Sequence, residues 1–285
     1  MGMKKKQAIV CIISAAFFFA LMNLFVKLSG DLPVWQKSMF RNLMAMFIAL
    51  FIILKDRTSL RIEKKNYLPM AIRCIAGTVG VICNFYAIGK LNIADASMLN
   101  KLSPFFAIIF SVFILKEKPK KVEWITIIVA FVGALFVIKP TFNMESFPAM
   151  MGMLSGMGAG LAYACVRKLG TNGVAGSVIV FFFSMFSCLS VLPCVIATYE
   201  PMTFAQLSFL ILAGLSAAGG QFSITAAYSR APAKEISVFD YTQVLFAALL
   251  SFVILGDLPD WLSCVGYAVI IGVAIFKWKY ELSKK

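Results

Sequence analysis

The chain alternates between long apolar blocks and short polar breaks. Ten apolar blocks run over 7–29, 34–54, 67–89, 92–115, 122–139, 149–168, 174–198, 205–228, 233–255 and 260–278. Each is near the ~20 residues with which a helix crosses ~30 Å of hydrocarbon. The breaks carry turn chemistry: Gly30-Asp31-Leu32-Pro33, Lys139-Pro140, Gly170 to Gly173, Ala231-Pro232 and Gly256-Asp257-Leu258-Pro259. The join at Lys90-Leu91-Asn92 is short enough to make a tight hairpin of the third and fourth helices. The pattern predicts an all-α integral membrane protein with ten transmembrane helices. Spans of this length leave only about eight residues per connection, too few for a soluble domain.

Composition agrees. Of 285 residues, 61% are apolar and 14% charged, where soluble domains run at roughly 45–50% apolar. A water-soluble enzyme, a nucleic-acid reader and a disulfide-knit secreted domain are excluded. The net charge of +14 reflects topology instead. Twenty of the lysines and arginines fall on one side of the predicted membrane, from Lys4–Lys6 through Lys116–Lys121 to Lys285, and two, Lys90 and Lys139, on the other. Such a bias predicts that both termini face the cytoplasm and that the chain sits in the cytoplasmic membrane. The N-terminal MGMKKKQ precedes a span-length block without a clear cleavage site, which predicts a retained first helix. All seven cysteines lie in apolar blocks with no CxxC pair, as reduced small hydrophobes do. There is no histidine, which removes the commonest general base and metal ligand. No Walker motif is present, so ATP is not the direct drive. No cofactor or metal is called for, and an enzyme is not expected.

The two halves, 1–140 and 141–285, match at a constant offset of 140 residues. Leu21 pairs with Leu161, Gly30 with Gly170, Gly80 with Gly220, Lys90 with Arg230 and Ser97 with Ser237. The best stretch sets Ser111 to Pro119 against Ser251 to Pro259. Five helices per copy is an odd number, so the second copy enters the membrane from the opposite side. A 5+5 inverted-topology repeat suits alternating access around a site near midplane at the repeat interface.

Residues 94–140 and 234–279 each hold an acid with a nearby proline (Glu117/Pro119; Asp257/Pro259), then Trp and a Gly-containing helix (Trp124/Gly133; Trp261/Gly272). In these features the chain resembles the EamA group of the drug/metabolite transporter superfamily. Asp257 stands where that family usually has Glu. The resemblance implies a metabolite exporter or importer whose fourth and ninth helices line a central cavity.

Charges inside spans are costly and need a reason. Lys101 and Asp240 lie within a turn of midplane, with Asn100 opposite Asp240 and Lys101 opposite Tyr241 in the repeat. Two readings follow: both residues face a bound solute, the lysine on an anion and the aspartate on an amine or proton, or they form a buried structural pair. Ser97, Asn100, Lys101 and Pro104 make one stripe, and Ser237, Asp240 and Tyr241 the matching one. Pro104 is expected to kink the fourth helix beside the cavity. Asn84 shares a face with Gly77 and Gly80, and Gln221 with Thr225 and Tyr228. Asn23 and Tyr163 are repeat equivalents, candidate gates at opposite mouths. Arg41 is a deeper candidate than Lys37; Lys27 is expected to snorkel outward and Arg73 to reach the cytoplasmic interface. Gly152, Gly156 and Gly160 read as a close-packing stripe.

The basic excess within spans points to a zwitterionic or anionic metabolite such as an amino acid or carboxylate. The partners are then that solute and the bilayer, with protons as a candidate coupling ion and no nucleic acid. Two alternatives stand beside this reading. One is a flippase for a lipid-linked sugar or nucleotide-linked solute. The other is an intramembrane transferase, against which the missing histidine and missing Asp-rich metal motif speak.

Overall fold

A computed structural model describes residues 3–90, 99–138, 146–255 and 260–283. Among these residues every regular element is helical. The spans are α1 (Met3–Leu28), α2 (Val34–Lys55), α3 (Tyr67–Lys90), α4 (Ser103–Leu115), α5 (Lys121–Ile138), α6 (Ser146–Thr171), α7 (Gly176–Ala197) and α8 (Phe204–Arg230). The ninth span, α9, is built of consecutive pieces, and α10 (Trp261–Ser283) closes the chain. Among the described residues nine helices are long and apolar enough to cross a membrane, and α4 adds a shorter apolar one.

Local chemistry sets the boundaries. Gly30 adopts a φ of +69°, which a residue with a side chain rarely takes, and Pro33 precedes α2. Thr203 caps α8 reciprocally: its Oγ1 accepts from the Gln206 backbone N–H at 3.2 Å, and the Thr203 N–H donates to Gln206 Oε1 at 2.9 Å.

One expectation is corrected here. The ninth span is not one continuous α-helix. After Pro232 it runs as a single α-turn (Ala233–Ile236), a 3₁₀ stretch (Ser237–Tyr241), an α-helix (Thr242–Leu250) and a π stretch (Ser251–Leu255). The fourth span is interrupted beside Pro104: Leu99 and Asn100 are helical, Lys101 and Leu102 form a turn, and α4 begins at Ser103, so Pro104 sits in the first turn of α4, where a missing N–H is tolerated.

Helix neighbours respect the repeat. α1 packs on α8 as its equivalent α6 packs on α3. α4 packs on α6 as α9 packs on α1. α2 packs on α7, and α5 on α10, each beside its own equivalent. Exchanging the first five helices for the second five leaves these pairings unchanged, as an approximate two-fold relation requires. With five helices per copy, the arrangement is the inverted 5+5 fold.

Small residues allow the closest contacts. A Cβ on Gly80 would lie 3.2 Å from backbone atoms of Ser155 and Ala159, and one on Gly156 would lie 2.7 Å from the Leu99 carbonyl oxygen. Gly152 and Gly160 meet Leu99 and Phe106 in the same way, so the four-residue glycine stripe is a packing seam for α4. The outer surface carries large exposed apolar side chains, including Phe51, Phe113, Leu189, Ile196 and Phe276. Lipid solvates such a surface; water does not.

At the ends of the helices rich in lysine and arginine, ion pairs tie the elements together. Lys5 meets Glu235 at 2.9 Å and also Glu281, and Lys277 meets Glu281 at 2.9 Å.

Candidate solute cavity

A cavity of about 110 Å³ lies between the two halves, walled by α1, α2, α3, α6, α7, α8, α9 and the Asn100–Ser103 segment. Of the residues singled out in the sequence, it gathers Asn23, Arg41, Asn84, Asn100, Lys101, Tyr163, Gln221 and Asp240. Tyr241 and Pro104 do not line it. Ser97 lies outside the described residues, as does Asp257.

Lys101 and Asp240 meet directly. Lys101 Nζ donates to Asp240 Oδ2 at 3.0 Å and to Gln243 Oε1 at 2.6 Å. The lysine is 6% exposed and the aspartate 5%, yet both edge the cavity. The breaks in the two spans position them: Lys101 sits in the turn just before α4, and Asp240 in the 3₁₀ stretch of α9. Tyr241, fully buried, donates its hydroxyl to the Lys101 carbonyl at 3.0 Å and stands edge-on to Phe131. Its place is behind the wall, holding the Lys101 backbone. Asn100 donates to Ser155 Oγ at 3.1 Å, which fixes the same turn against α6.

The guanidinium side is different in kind. Arg73, expected at the interface, is 2% exposed and lies on the cavity wall. Its Cζ stands 3.9 Å over the Phe183 ring, and its Nε has no hydrogen-bond partner. Gly77, one turn further along α3, makes the room: a Cβ there would overlap Arg73 Nη1 and come 2.7 Å from the Phe183 ring. Among the described residues Arg41 donates only to the side chain of its neighbour Asn42, at 3.0 Å. Neither arginine has an ion-pair partner among the described residues. The sequence held a signal for Arg73. Gly77, Gly80 and Asn84 share a face of α3, and the same stripe extended back by four residues reaches Arg73.

On the side of the basic-rich helix ends, aromatic and ionic contacts lie beside the cavity. The Tyr163 and Tyr228 rings stack at 4.8 Å with an interplanar angle of 11°. Tyr228 shares a hydrogen bond with Ser237 at 3.2 Å. Beyond them Arg167 reaches Glu117 at 3.4 Å and donates to the Ser229 carbonyl at 3.0 Å. Glu117 lies between α4 and α5; burial raises its carboxyl above the ordinary glutamate value, with Arg167 pulling the other way. Towards the basic-poor ends, Asn23 is exposed while still lining the cavity, and Lys27 beyond it is exposed.

Comparison with known proteins agrees with this architecture. The chain matches the EamA-like transporter family twice, over residues 6–139 and 146–277. It is 30% identical to the pseudopaline exporter CntI of Pseudomonas aeruginosa, with 95% of each chain covered. It is 25% identical to human solute carrier family 35 member G1, over 95% of this chain and 79% of that one. It is 23% identical to a riboflavin transporter of Vibrio cholerae, over 98% of this chain and 95% of that one. One crystal structure, 15% identical in sequence, shares the fold with a TM-score of 0.82 over 99% of this chain. Two family-length halves, a membrane-facing apolar surface and a polar cavity between the halves lead to one conclusion: the chain belongs to the EamA-like transporter family, within the drug/metabolite transporter superfamily, and is an integral membrane transporter of small metabolites.

Proposed function

We propose that the protein is a secondary transporter moving a small anionic or zwitterionic metabolite across the cytoplasmic membrane by alternating access, with both termini cytoplasmic. The observation that carries this reading is the Lys101–Asp240 pair at 3.0 Å, buried on the wall of a cavity between two inverted halves. A buried pair of this kind is stable while empty. It also offers an ammonium to a solute anion and a carboxylate to an amine or a coupling proton, in surroundings where each contact is strong. Alternating access then amounts to rocking residues 1–140 against 141–285, breaking the Arg167–Glu117 contact between the halves as the opposite mouth closes.

The test is flux. Proteoliposomes loaded with a bacterial metabolite extract should release specific small anions or zwitterions, read by mass spectrometry. Lys101→Ala should abolish that release while the protein still inserts and purifies. Asp240→Asn should impair it, and the pH dependence of the residual flux separates amine recognition from proton coupling. Release of no solute by the wild-type protein, or undiminished release by Lys101→Ala, overturns the reading.

A further inference from the structure

Arg41 and Arg73 set a charge problem that the other described residues do not solve. Both line the cavity and both are at least nine-tenths buried. Arg73 makes no hydrogen bond among the described residues, and Arg41 makes one, to a neutral amide. Asp240 is the one acid among the described residues lining the cavity, and Lys101 already holds it. Among the described residues the wall therefore carries two uncompensated positive charges in addition to a neutral ion pair. Unpaired buried charges are destabilising, and Gly77 leaves room for the Arg73 guanidinium against the Phe183 ring. A guanidinium presents a planar fork of donors that matches a carboxylate.

From this geometry we infer that the transported solute carries two carboxylate groups, one for Arg41 and one for Arg73: a dicarboxylate-class metabolite. This rests on the transport reading and narrows its substrate. Net neutralisation of the cavity requires two negative charges, which a monocarboxylic amino acid does not supply.

The test uses pairs of probes of one shape that differ by a single charge: glutarate against its monoamide, succinate against its monoamide, and L-glutamate against L-glutamine. Binding to the purified full chain in detergent is read by ligand-induced thermal shift. In at least one pair the dicarboxylate should bind at least about tenfold tighter than its monoamide, the loss of one charge-assisted contact. Arg41→Gln and Arg73→Gln should each collapse that ratio to about one while still binding the monoamide. The inference is overturned if acid and monoamide bind alike in the wild-type protein, if no dicarboxylate binds, or if the ratio survives in both variants. Tighter binding of glycerol 3-phosphate than of any dicarboxylate, one phosphate spanning both guanidiniums, also overturns it. The wild-type comparison stands even where a variant fails to fold. The extract-release assay reads the parent proposal separately. Release of monocarboxylates or zwitterions but of no dicarboxylate defeats the inference and leaves transport standing, whereas release of nothing defeats transport itself.

Discussion

Lys101 and Asp240 stand 139 residues apart in the chain, in opposite halves of the repeat, and meet at 3.0 Å on the wall of the cavity. Each comes from a break in its own span. The contact therefore joins the two halves at the point where the backbone of both departs from a regular helix.

Removing one member of that pair strands the other. Lys101→Met should lower stability by about 3–5 kcal/mol by leaving Asp240 buried and uncompensated, while Lys101→Met/Asp240→Leu should recover most of the loss. Thermal unfolding in detergent checks the order wild type, double variant, single variant. A single variant as stable as the double would mean that the pair is solvated instead.

Gly77 holds space for a charge. Gly77→Ala places a methyl group where the Arg73 guanidinium and the Phe183 ring now lie. Overpacking of this kind costs about 1–3 kcal/mol. The expected flux phenotype is a raised KM from the displaced arginine, and Gly77→Ala/Phe183→Leu should restore part of the affinity by reopening the slot. Kinetics of both variants in proteoliposomes decide this.

Glu117 gives a pH dependence with a definite sign. Its carboxyl titrates above 4.5 in the folded protein because burial outweighs the pull of Arg167. A raised folded value means that the proton is bound more tightly when the protein is folded. The associated stability is fully present below about pH 4.5, the ordinary glutamate range, and is lost as pH rises through the folded value. Glu117→Gln should flatten that part of the melting-temperature profile. A steeper profile in the variant would show that Arg167 dominates instead.

Topology is testable by labelling. In a cysteine-free background, cysteines at residues 31–33 should react with an impermeant reagent from outside the cell, and cysteines at 118–121 should not. The reverse pattern contradicts the orientation drawn from the lysine and arginine count.

Much of the fold was legible because hydrocarbon imposes one length and one period on a span. The predicted blocks at 34–54 and 122–139 differ from α2 and α5 by a residue at their ends. The break in α9 was hidden because Ser237–Tyr241 stays apolar enough to continue the block, and hydropathy does not distinguish 3₁₀ from α geometry. At the site, Lys101 and Asp240 stood out because a charge in hydrocarbon demands a reason. Arg73 did not, since six residues into a span is only about 9 Å of depth, within reach of the interface for a long side chain. What turned it inwards was Gly77, a residue whose contribution is the absence of a side chain. Tyr241 was placed on the cavity stripe by its equivalence to Lys101. The tightened 3₁₀ turn rotates it behind the wall, where its hydroxyl serves the Lys101 backbone instead.

The most direct measurement is release of the metabolite extract from proteoliposomes by Lys101→Met/Asp240→Leu. This variant removes both charges while sparing the fold the cost of stranding one. If the pair binds the solute, the double variant is stable, correctly inserted and without flux. If the pair is only a structural tie between the halves, the double variant transports like the wild-type protein, and that result would contradict the account.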